Sequence, residues 1–318
     1  MAELDRGKPA ASAASPIPLA YVIAALPPLF WAGNFLIARM MRDDIPPIQM
    51  SFWRWVLALA IMLPFAWSSL RLDRSRLREE WPFLALLGAI GVTAFNCFIY
   101  TALHHTTVIN AALVNSLLPV VTIILAWVLL GERIFPLRAL GITVSLVGAV
   151  LVIARGDLLA LGDLEVGRGD ILVVLGMSFW ALYMVLVRRR PLGLKPLSLL
   201  GATTVFGIVF HLPFVLVETT ASGIFVPTLH SLPALIYFAI FPSILAYVFW
   251  NRSIATLGPA TTGMFMHLMP IFSAILAAAL LGERLAWYHP VAFIVIVGGI
   301  LLATRRPSAI PQLNHQKR

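Results

Sequence analysis

Long apolar stretches separated by short polar joints run through almost the whole chain. A helix needs about 20 consecutive apolar residues to cross the hydrocarbon core of a bilayer, and roughly 17 to 25 are tolerated. The ten stretches that meet this length are 19–38, 49–70, 83–103, 108–130, 135–154, 171–187, 197–217, 232–251, 259–281 and 286–304. Only Arg54 and Arg138 bring a charge into these limits, each near an end. The pattern predicts an all-α polytopic membrane protein with ten transmembrane helices.

Composition supports this prediction and excludes other classes of protein. The 318 residues are 60% hydrophobic and 12% charged, with a mean hydropathy of +0.92, whereas about a quarter of the residues in soluble domains are charged. A single cysteine, Cys97, excludes a disulfide-rich secreted domain. In a soluble chain, the net charge of +9 would suggest that the protein binds nucleic acid. In a membrane chain, lysine and arginine lie in loops and fix the topology, so we expect no nucleic-acid partner.

The basic residues favour one orientation of the ten predicted helices. Seventeen of the 23 lysines and arginines fall in tails and joints on one side, and Arg54 lies within the second stretch. The five on the other side are Arg39, Arg42, Arg155, Arg168 and Arg284. Because positively charged loops stay in the cytoplasm, we expect both termini to be cytoplasmic.

The chain contains an internal repeat of five predicted helices. Phe30-Trp31 recurs as Phe179-Trp180 at an offset of 149, and the offset becomes 151 after a two-residue insertion. Since five is odd, the second copy enters the membrane from the opposite side, and inverted repeats hold a midplane site that opens alternately to each face. Shared helix packing without transport is the alternative. The predicted organisation is a cytoplasmic tail (1–18), a first repeat (19–154), a linker (155–170), a second repeat (171–304) and a cytoplasmic tail (305–318).

Motifs within the two copies resemble those of a known family. Phe30–Asn34 reads Phe-Trp-Ala-Gly-Asn, and Leu-Leu-Gly-Glu-Arg closes the fourth and ninth stretches at Leu129–Arg133 and Leu280–Arg284. Over residues 19 to 304 the chain resembles the EamA-type, ten-helix branch of the drug/metabolite transporter superfamily. The resemblance implies a bacterial inner-membrane exporter of amino acids or small metabolites, and amino-acid exporters of this fold include one for aromatic amino acids. It leaves the substrate open, because function resides in a site and not in a fold.

Equivalent positions of the two copies carry a matching polar and aromatic pattern. The pairs are Trp31/Asn34 and Trp180/Tyr183, and Asn96/Tyr100 and Tyr247/Asn251. Members of a pair are three or four residues apart, so they share one helical face, and we expect these faces to line a cavity for a small amphiphilic solute. Hydrogen bonding between helices is the alternative. The predicted substrate-binding residues are Trp31, Asn34, Asn96, Tyr100, Asn115, Trp180, Tyr183, Tyr247, Asn251 and His267.

Three other positions each have two possible roles. Pro119 and Pro270 free a carbonyl four residues earlier and bend the helix there, which makes each of them a hinge or a packing kink. His267, taken as the one titratable side chain deep in a span, is a hydrogen-bonded residue between helices or a proton relay.

Arg54 lies about one and a half turns inside the second stretch, on the predicted periplasmic side. Its side chain either snorkels to the periplasmic interface or provides a counter-charge for a substrate carboxylate. The repeat places Thr203 at the equivalent position, so the charge is not a symmetric packing requirement.

Missing motifs narrow the function further. The sequence has no P-loop, no Gly-x-Ser-x-Gly, no His-Glu-x-x-His and no acidic residue within the ten stretches, and His104 and His105 are adjacent and therefore diverge on a helix. We expect no enzyme, no cofactor and no metal site.

The sequence therefore predicts a monomeric secondary transporter in the lipid bilayer that exports small organic metabolites, above all aromatic and other neutral amino acids, by alternating access. One alternative is an exchanger of nucleotide sugars, organophosphates or drug-like metabolites from the same superfamily. A doubly charged phosphate would require several buried arginines or lysines, and only Arg54 is offered. The alternative from another class is a membrane-embedded enzyme or scaffold.

The charge distribution makes a testable prediction about topology. A fluorescent protein fused after Arg318 should fluoresce, because it stays in the cytoplasm, and alkaline phosphatase inserted between Glu218 and Ser231 should be active, because it is periplasmic. Reporter activity in intact cells measures both positions. A periplasmic C-terminus would contradict both the ten-helix count and the inverted repeat.

Overall fold

The computed structural model describes residues 17–41, 43–102, 105, 114–157, 159, 162, 167–282 and 284–304. Over these residues the chain forms helices and connecting turns without strands, which confirms the all-α prediction for this part of the protein. Most of the two predicted tails, part of the predicted linker, His104 and the first residues of the fourth predicted stretch lie outside the described residues.

Each predicted stretch overlaps a helix. The helices are α1 (Ile17–Met40), α2 (Pro47–Leu72), α3 (Trp81–Ala102), α4 (Leu118–Leu130), α5 (Pro136–Ile153), α6 (Arg168–Arg189), α7 (Pro196–Ser222), α8 (Leu232–Leu257), α9 (Pro259–Leu280) and α10 (Tyr288–Thr304). Eight of them are long and apolar enough to cross a membrane, whereas α4 and α10 have 13 and 17 residues. The count of ten crossings therefore stays a prediction.

Proline and glycine set helix ends at equivalent positions of the two repeats. Pro47 begins α2 and Pro196 begins α7, where the missing N–H has no intrahelical partner to lose. The helices α4 and α9 are followed by Gly131 and Gly282, whose φ angles of 67° and 69° lie in the left-handed region that favours glycine. The repeat in the sequence is thus present in the backbone.

The third helix of each repeat shares an irregularity that the sequence did not reveal. Gly88–Ala94 in α3 and Ala239–Leu245 in α8 are seven-residue π-helical segments at an offset of 151. Backbone bonds in a π-helix run between residues five apart, and such segments occur frequently at functional sites. Pro242 lacks an N–H, and the Phe238 carbonyl four residues earlier accepts the Ser243 hydroxyl instead, at 2.8 Å. A proline therefore accounts for the segment in α8, while no comparable cause is evident in α3.

The two prolines of the fourth and ninth helices interrupt the regular backbone. Ser116 and Leu117 form a turn just before α4, and Phe265–Leu268 form a 3₁₀ turn within α9 just before Pro270. The carbonyl of Met266, which Pro270 leaves without its α-helical partner, accepts the N–H of Met269. Movement about either proline stays a prediction.

The two repeats pack against each other about a pseudo-two-fold axis. The helix α2 contacts its equivalent α7, α4 contacts α9, and α5 contacts α10, while α1 contacts α8 and α3 contacts α6. The last two pairs exchange the first and third helices of the repeats, as a two-fold relation requires. The residues at the centre of the interface therefore come from both repeats.

Close backbone contact between α5 and α10 generates a stability prediction. A Cβ added at Gly299 would lie 2.5 Å from the Ser145 nitrogen and 2.7 Å from the Gly141 oxygen, and backbone atoms of packed helices cannot move aside. Gly299→Ala should therefore destabilise the protein by about 1–3 kcal/mol. Thermal unfolding in detergent should show a lower midpoint. The neighbouring Gly298 meets nothing within 4 Å, so Gly298→Ala should leave the midpoint unchanged or raise it. Equal effects of the two substitutions would contradict this packing.

Candidate functional site

Six buried aromatic side chains meet at the centre of the interface between the repeats. This aromatic cluster draws residues from α1, α2, α6 and α8, and every member is at most 9% exposed. Its members are Trp31, Trp55, Trp180, Tyr183, Tyr247 and Trp250. Four of them belong to the predicted set. The other two were missed, although Trp250 lies three residues after Tyr247 and shares its helical face.

The rings of the cluster touch one another. Trp180 stacks on Tyr183 with centroids 5.2 Å apart, and its centroid is 5.1 Å from that of Tyr247 and 5.7 Å from that of Trp31. These are distances of direct ring contact, so the predicted cavity is closed here by its own walls. A cavity of about 260 Å³ lies elsewhere, between α2, α3 and α7, and its lining is almost wholly apolar.

The two π-helical segments hold the cluster through their carbonyl groups. The Tyr247 hydroxyl donates to the Gly91 oxygen at 2.8 Å, and Trp31 Nε1 donates to the Pro242 oxygen at 3.0 Å. Gly91 and Pro242 are equivalent positions at the middle of the two segments. A side chain at Gly91 would also place Cβ 2.4 Å from the Tyr183 ring, so glycine is required for this approach.

At one end of the cluster the predicted polar residues bond to each other. The Tyr183 hydroxyl donates to Asn251 Oδ1 at 3.0 Å and accepts from Asn251 Nδ2 at 2.9 Å. The Asn96 amide is buried and donates to the Val92 oxygen of its own helix at 2.6 Å. The side chains of Tyr183, Asn251 and Asn96 therefore have partners within the protein. The buried indole N–H of Trp250, in contrast, has no hydrogen-bond partner among the described residues.

Arg54 lies at the opposite end of the cluster and is 3% exposed. Its Nη1 donates to the Tyr100 hydroxyl at 2.8 Å, and its guanidinium lies 5.1 Å from the centroid of the Trp55 ring. Of the two roles predicted for Arg54, snorkelling to the periplasmic interface is contradicted, because the side chain is buried and turns inward to these partners. The role of counter-charge stays a prediction. Asn34, on the turn after Trp31, is also buried.

A second histidine is buried near Arg54, and the sequence reasoning overlooked it. His211 is fully buried in α7, so the prediction that His267 is the one titratable group deep in a span is wrong. Its Nδ1 lies 3.0 Å from the Gly207 oxygen and its Nε2 lies 3.1 Å from the Ser51 hydroxyl. Because a carbonyl only accepts, a neutral ring donates from Nδ1 and accepts the Ser51 hydroxyl at Nε2. His211 lies within an apolar run of the sequence, so hydropathy did not mark it as a separate feature.

His267 of α9 hydrogen-bonds to α5 and to the turn that precedes α4. Its Nε2 donates to the Ser116 oxygen at 2.8 Å, and its Nδ1 lies 2.7 Å from the Ser145 hydroxyl. The partly buried Asn115 precedes this contact in the chain. The geometry favours the interhelical role over the relay.

Two carboxylates fasten the ends of α2 and α7 to each other. In what we call the Glu218 clasp, Glu218 of α7 accepts the N–H groups of Ile48 and Gln49 at 3.0 and 2.8 Å, at the start of α2. Gln49 in turn donates to the Gly223 oxygen at 2.9 Å. The sequence placed Glu218 outside the seventh span, but α7 continues to Ser222. A carboxylate stabilises a helix N-terminus by pairing its free N–H groups and its positive dipole end.

The Asp73 clasp lies at the other end of the same two helices. Asp73, just after α2, accepts the N–H of Lys195, just before α7, at 3.0 Å. Burial raises the pKa of the Asp73 carboxyl, but this bond and the charges of Lys195 and Arg76 contribute to a pKa below the ordinary value. Each clasp thus joins the end of one helix to the start of its equivalent.

Comparison with known proteins identifies the family. Residues 18–154 and 167–305 match the EamA-like transporter family. The uncharacterized transporter YyaM of Bacillus subtilis is 29% identical over 276 residues, which cover 87% of this chain and 90% of that protein. The probable terminal-alkyne amino-acid exporter of Streptantibioticus cattleyicolor is 26% identical over 276 residues, with the same coverage. The uncharacterized inner membrane transporter YedA of Escherichia coli is 26% identical over 283 residues and 87% of each chain.

A solved crystal structure has the same fold. It superposes with a TM-score of 0.73 at 21% identity and covers 90% of this chain and 96% of that chain. With a family match in each half, two structural repeats and at least eight apolar helices of membrane-spanning length among the described residues, the chain belongs to the EamA-like transporter family and is a multi-pass membrane protein.

Proposed function

We propose that the protein is a secondary transporter that exports small organic metabolites, above all aromatic and other neutral amino acids, across the bacterial inner membrane by alternating access. The observation that carries the proposal is the aromatic cluster, which both repeats build at their shared interface. Ring faces with a few oriented hydrogen-bonding groups provide what a small amphiphilic solute requires. The name of the Streptantibioticus relative supports an amino-acid substrate, and that of the Escherichia coli relative supports the inner membrane.

The predicted topology orients this site. With both termini cytoplasmic, as the charge distribution favours, the Arg54 end of the cluster faces the periplasm and the Tyr183–Asn251 end faces the cytoplasm. The protein acts as a monomer in this proposal, since one chain supplies both repeats and the whole cluster.

The clasps support alternating access. A solute ring can enter the cluster only if the touching rings separate, which requires the two repeats to move relative to each other. Because α2 and α7 are fastened at both ends, opening toward the periplasm breaks the Glu218 clasp, and opening toward the cytoplasm breaks the Asp73 clasp. The conformation seen here, with both clasps and the cluster closed, corresponds to the occluded step between them.

Phosphorylated substrates fit the site poorly. Among the described residues, Arg54 is the one lysine or arginine in the buried interior. A nucleotide sugar or organophosphate carries two or more charges and would need several buried cations in a medium without water. The chemistry of the cluster therefore favours a substrate with at most one carboxylate.

The proposal predicts that transport depends on the tryptophans of the aromatic cluster. Trp31→Ala and Trp180→Ala should each weaken substrate binding by about 1–3 kcal/mol, or roughly 5- to 150-fold, because each removes a ring face of the cluster. Counterflow of labelled amino acids in proteoliposomes measures the effect, and the same panel identifies the substrate. Trp127 on α4 is 54% exposed and has no part in the cluster, so Trp127→Ala is the matched control. Normal counterflow by both cluster variants would contradict the site.

The clasps make a separate prediction about accessibility. Cys97, the single cysteine, is buried in α3 within electrostatic reach of Glu218. Glu218→Gln removes the charge that caps α2, which costs about 1–2 kcal/mol and shifts the equilibrium toward the periplasm-open state by roughly 5- to 30-fold. A polar maleimide should then label Cys97 faster by a similar factor.

Asp73→Asn is the control for this experiment, because it weakens the opposite clasp. It should leave the labelling of Cys97 at the native rate or slow it. If both variants accelerate labelling equally, general loosening explains the result and the clasps are not opposed gates.

A further inference from the structure

Three of the eight buried side-chain polar atoms that lack a hydrogen-bond partner among the described residues lie at the Arg54 end of the aromatic cluster, and a fourth, Trp250 Nε1, belongs to the cluster itself. Within the described residues, Arg54 Nε, Asn34 Oδ1 and Trp55 Nε1 each lack a hydrogen-bonding partner, although their side chains are 3%, 6% and 0% exposed. An unpaired buried polar group costs about 1–3 kcal/mol, and more when it is charged, so folded proteins contain few of them. Several beside one proposed site indicate that a ligand completes them.

Pseudo-symmetry explains why Asn34 is free and places it near Arg54. Asn34 and Tyr100 are the equivalents of Tyr183 and Asn251, which bond to each other at the other end of the cluster. At this end the Tyr100 hydroxyl accepts from Arg54 instead, and the Asn34 oxygen keeps no partner. Thr203, the equivalent of Arg54, bonds to the Leu199 oxygen of its own helix and leaves the Tyr183–Asn251 pair undisturbed.

Packing around Tyr100 supports the same placement. Tyr100 belongs to a small apolar group that includes Phe238, and Ile37 and Ala38 of α1 pack against that group. Asn34 lies three and four residues before these two, so it shares their helical face. Asn34 and Arg54 therefore border the same region, next to the rings of Trp31 and Trp55.

The two unpaired atoms of Asn34 and Arg54 have opposite electrostatic preferences. Arg54 Nε is a donor on a permanent cation, and no carboxylate among the described residues lies within 4.0 Å of it. Glu218 already accepts two N–H groups at the start of α2. Asn34 Oδ1 is an acceptor only. A carboxylate satisfies the first atom and an ammonium group satisfies the second.

We infer that Asn34 and Arg54 form a head-group subsite for the zwitterion of an α-amino acid, with Arg54 Nε donating to the carboxylate and Asn34 Oδ1 accepting from the ammonium group. The inference rests on the proposed function, because it places the substrate's side chain among the rings of the aromatic cluster. It excludes aromatic amines and aromatic acids as equivalent substrates, since each leaves one of the two atoms unpaired. Discrimination of this kind exceeds what an apolar pocket provides.

Three ligands that differ only in the head group test the inference on the full-length protein in nanodiscs. L-phenylalanine carries both charges, phenethylamine only the ammonium group, and 3-phenylpropionate only the carboxylate. Titration calorimetry should give phenylalanine an affinity at least tenfold above that of either analogue, because each lost charged contact is worth about ten- to hundredfold.

Two variants assign the contacts to individual residues. Arg54→Met should lower the affinity for phenylalanine and for phenylpropionate by about ten- to hundredfold and leave the affinity for phenethylamine unchanged. Asn34→Leu should lower the affinity for phenylalanine and for phenethylamine and leave the affinity for phenylpropionate unchanged. Thermal unfolding verifies folding, and Arg54→Gln replaces Arg54→Met if the latter is unstable.

Either analogue binding as tightly as phenylalanine would overturn the head-group subsite, whatever the variants do. Uniform loss of all three ligands in both folded variants would overturn it as well. In both cases the aromatic site survives, because phenylalanine still binds the native protein. If none of the three ligands binds, the aromatic site of the proposed function fails together with the subsite.

Discussion

Each polar group that a chain carries into a bilayer has to find a partner inside the protein, because the hydrocarbon offers none. That constraint accounts for most of the polar contacts described above. The carbonyls of the two π-helical segments take the Tyr247 hydroxyl and the Trp31 indole, and the buried histidines each use both ring nitrogens. The starts of α2 and α7 are each capped by a carboxylate at the end of the other helix. Asn34 and Arg54 are among the exceptions in the described part of the chain, and the proposed head-group subsite assigns these two to a solute.

The aromatic cluster depends on both repeats. Its rings are brought together by helix pairs that cross the interface, α1 with α8 and α2 with α8. The Tyr247 hydroxyl and the Trp31 indole are anchored to the equivalent carbonyls of Gly91 and Pro242. The contacts that hold the walls of the cluster also join the repeats. In the proposed alternating access, separating the rings and moving the repeats would therefore be one event.

The two ends of the aromatic cluster differ in their polar side chains. At one end Tyr183 and Asn251 bond to each other, whereas the equivalent end carries an added cation that takes the Tyr100 hydroxyl. A buried cation without a counter-ion is expensive in a membrane, so a purely structural role for Arg54 is difficult to justify. The proposed head-group subsite accounts for this asymmetry, because it places the charged end of an amino acid at Arg54 and its apolar end among the rings.

The sequence by itself determined the helical class, the approximate limits of each apolar helix, the five-helix repeat and the convergence of Trp31, Trp180, Tyr183 and Tyr247. All of these follow from local periodicity or from comparison of the two copies, which need no knowledge of packing. Tertiary structure alone decided that the rings touch and close the cavity, that Arg54 turns inward and that His211 is buried with Ser51. It also decided that Glu218 and Asp73 fasten α2 to α7. Those outcomes depend on which side chains meet across helices far apart in the chain, and hydropathy records how apolar a residue is but not what faces it.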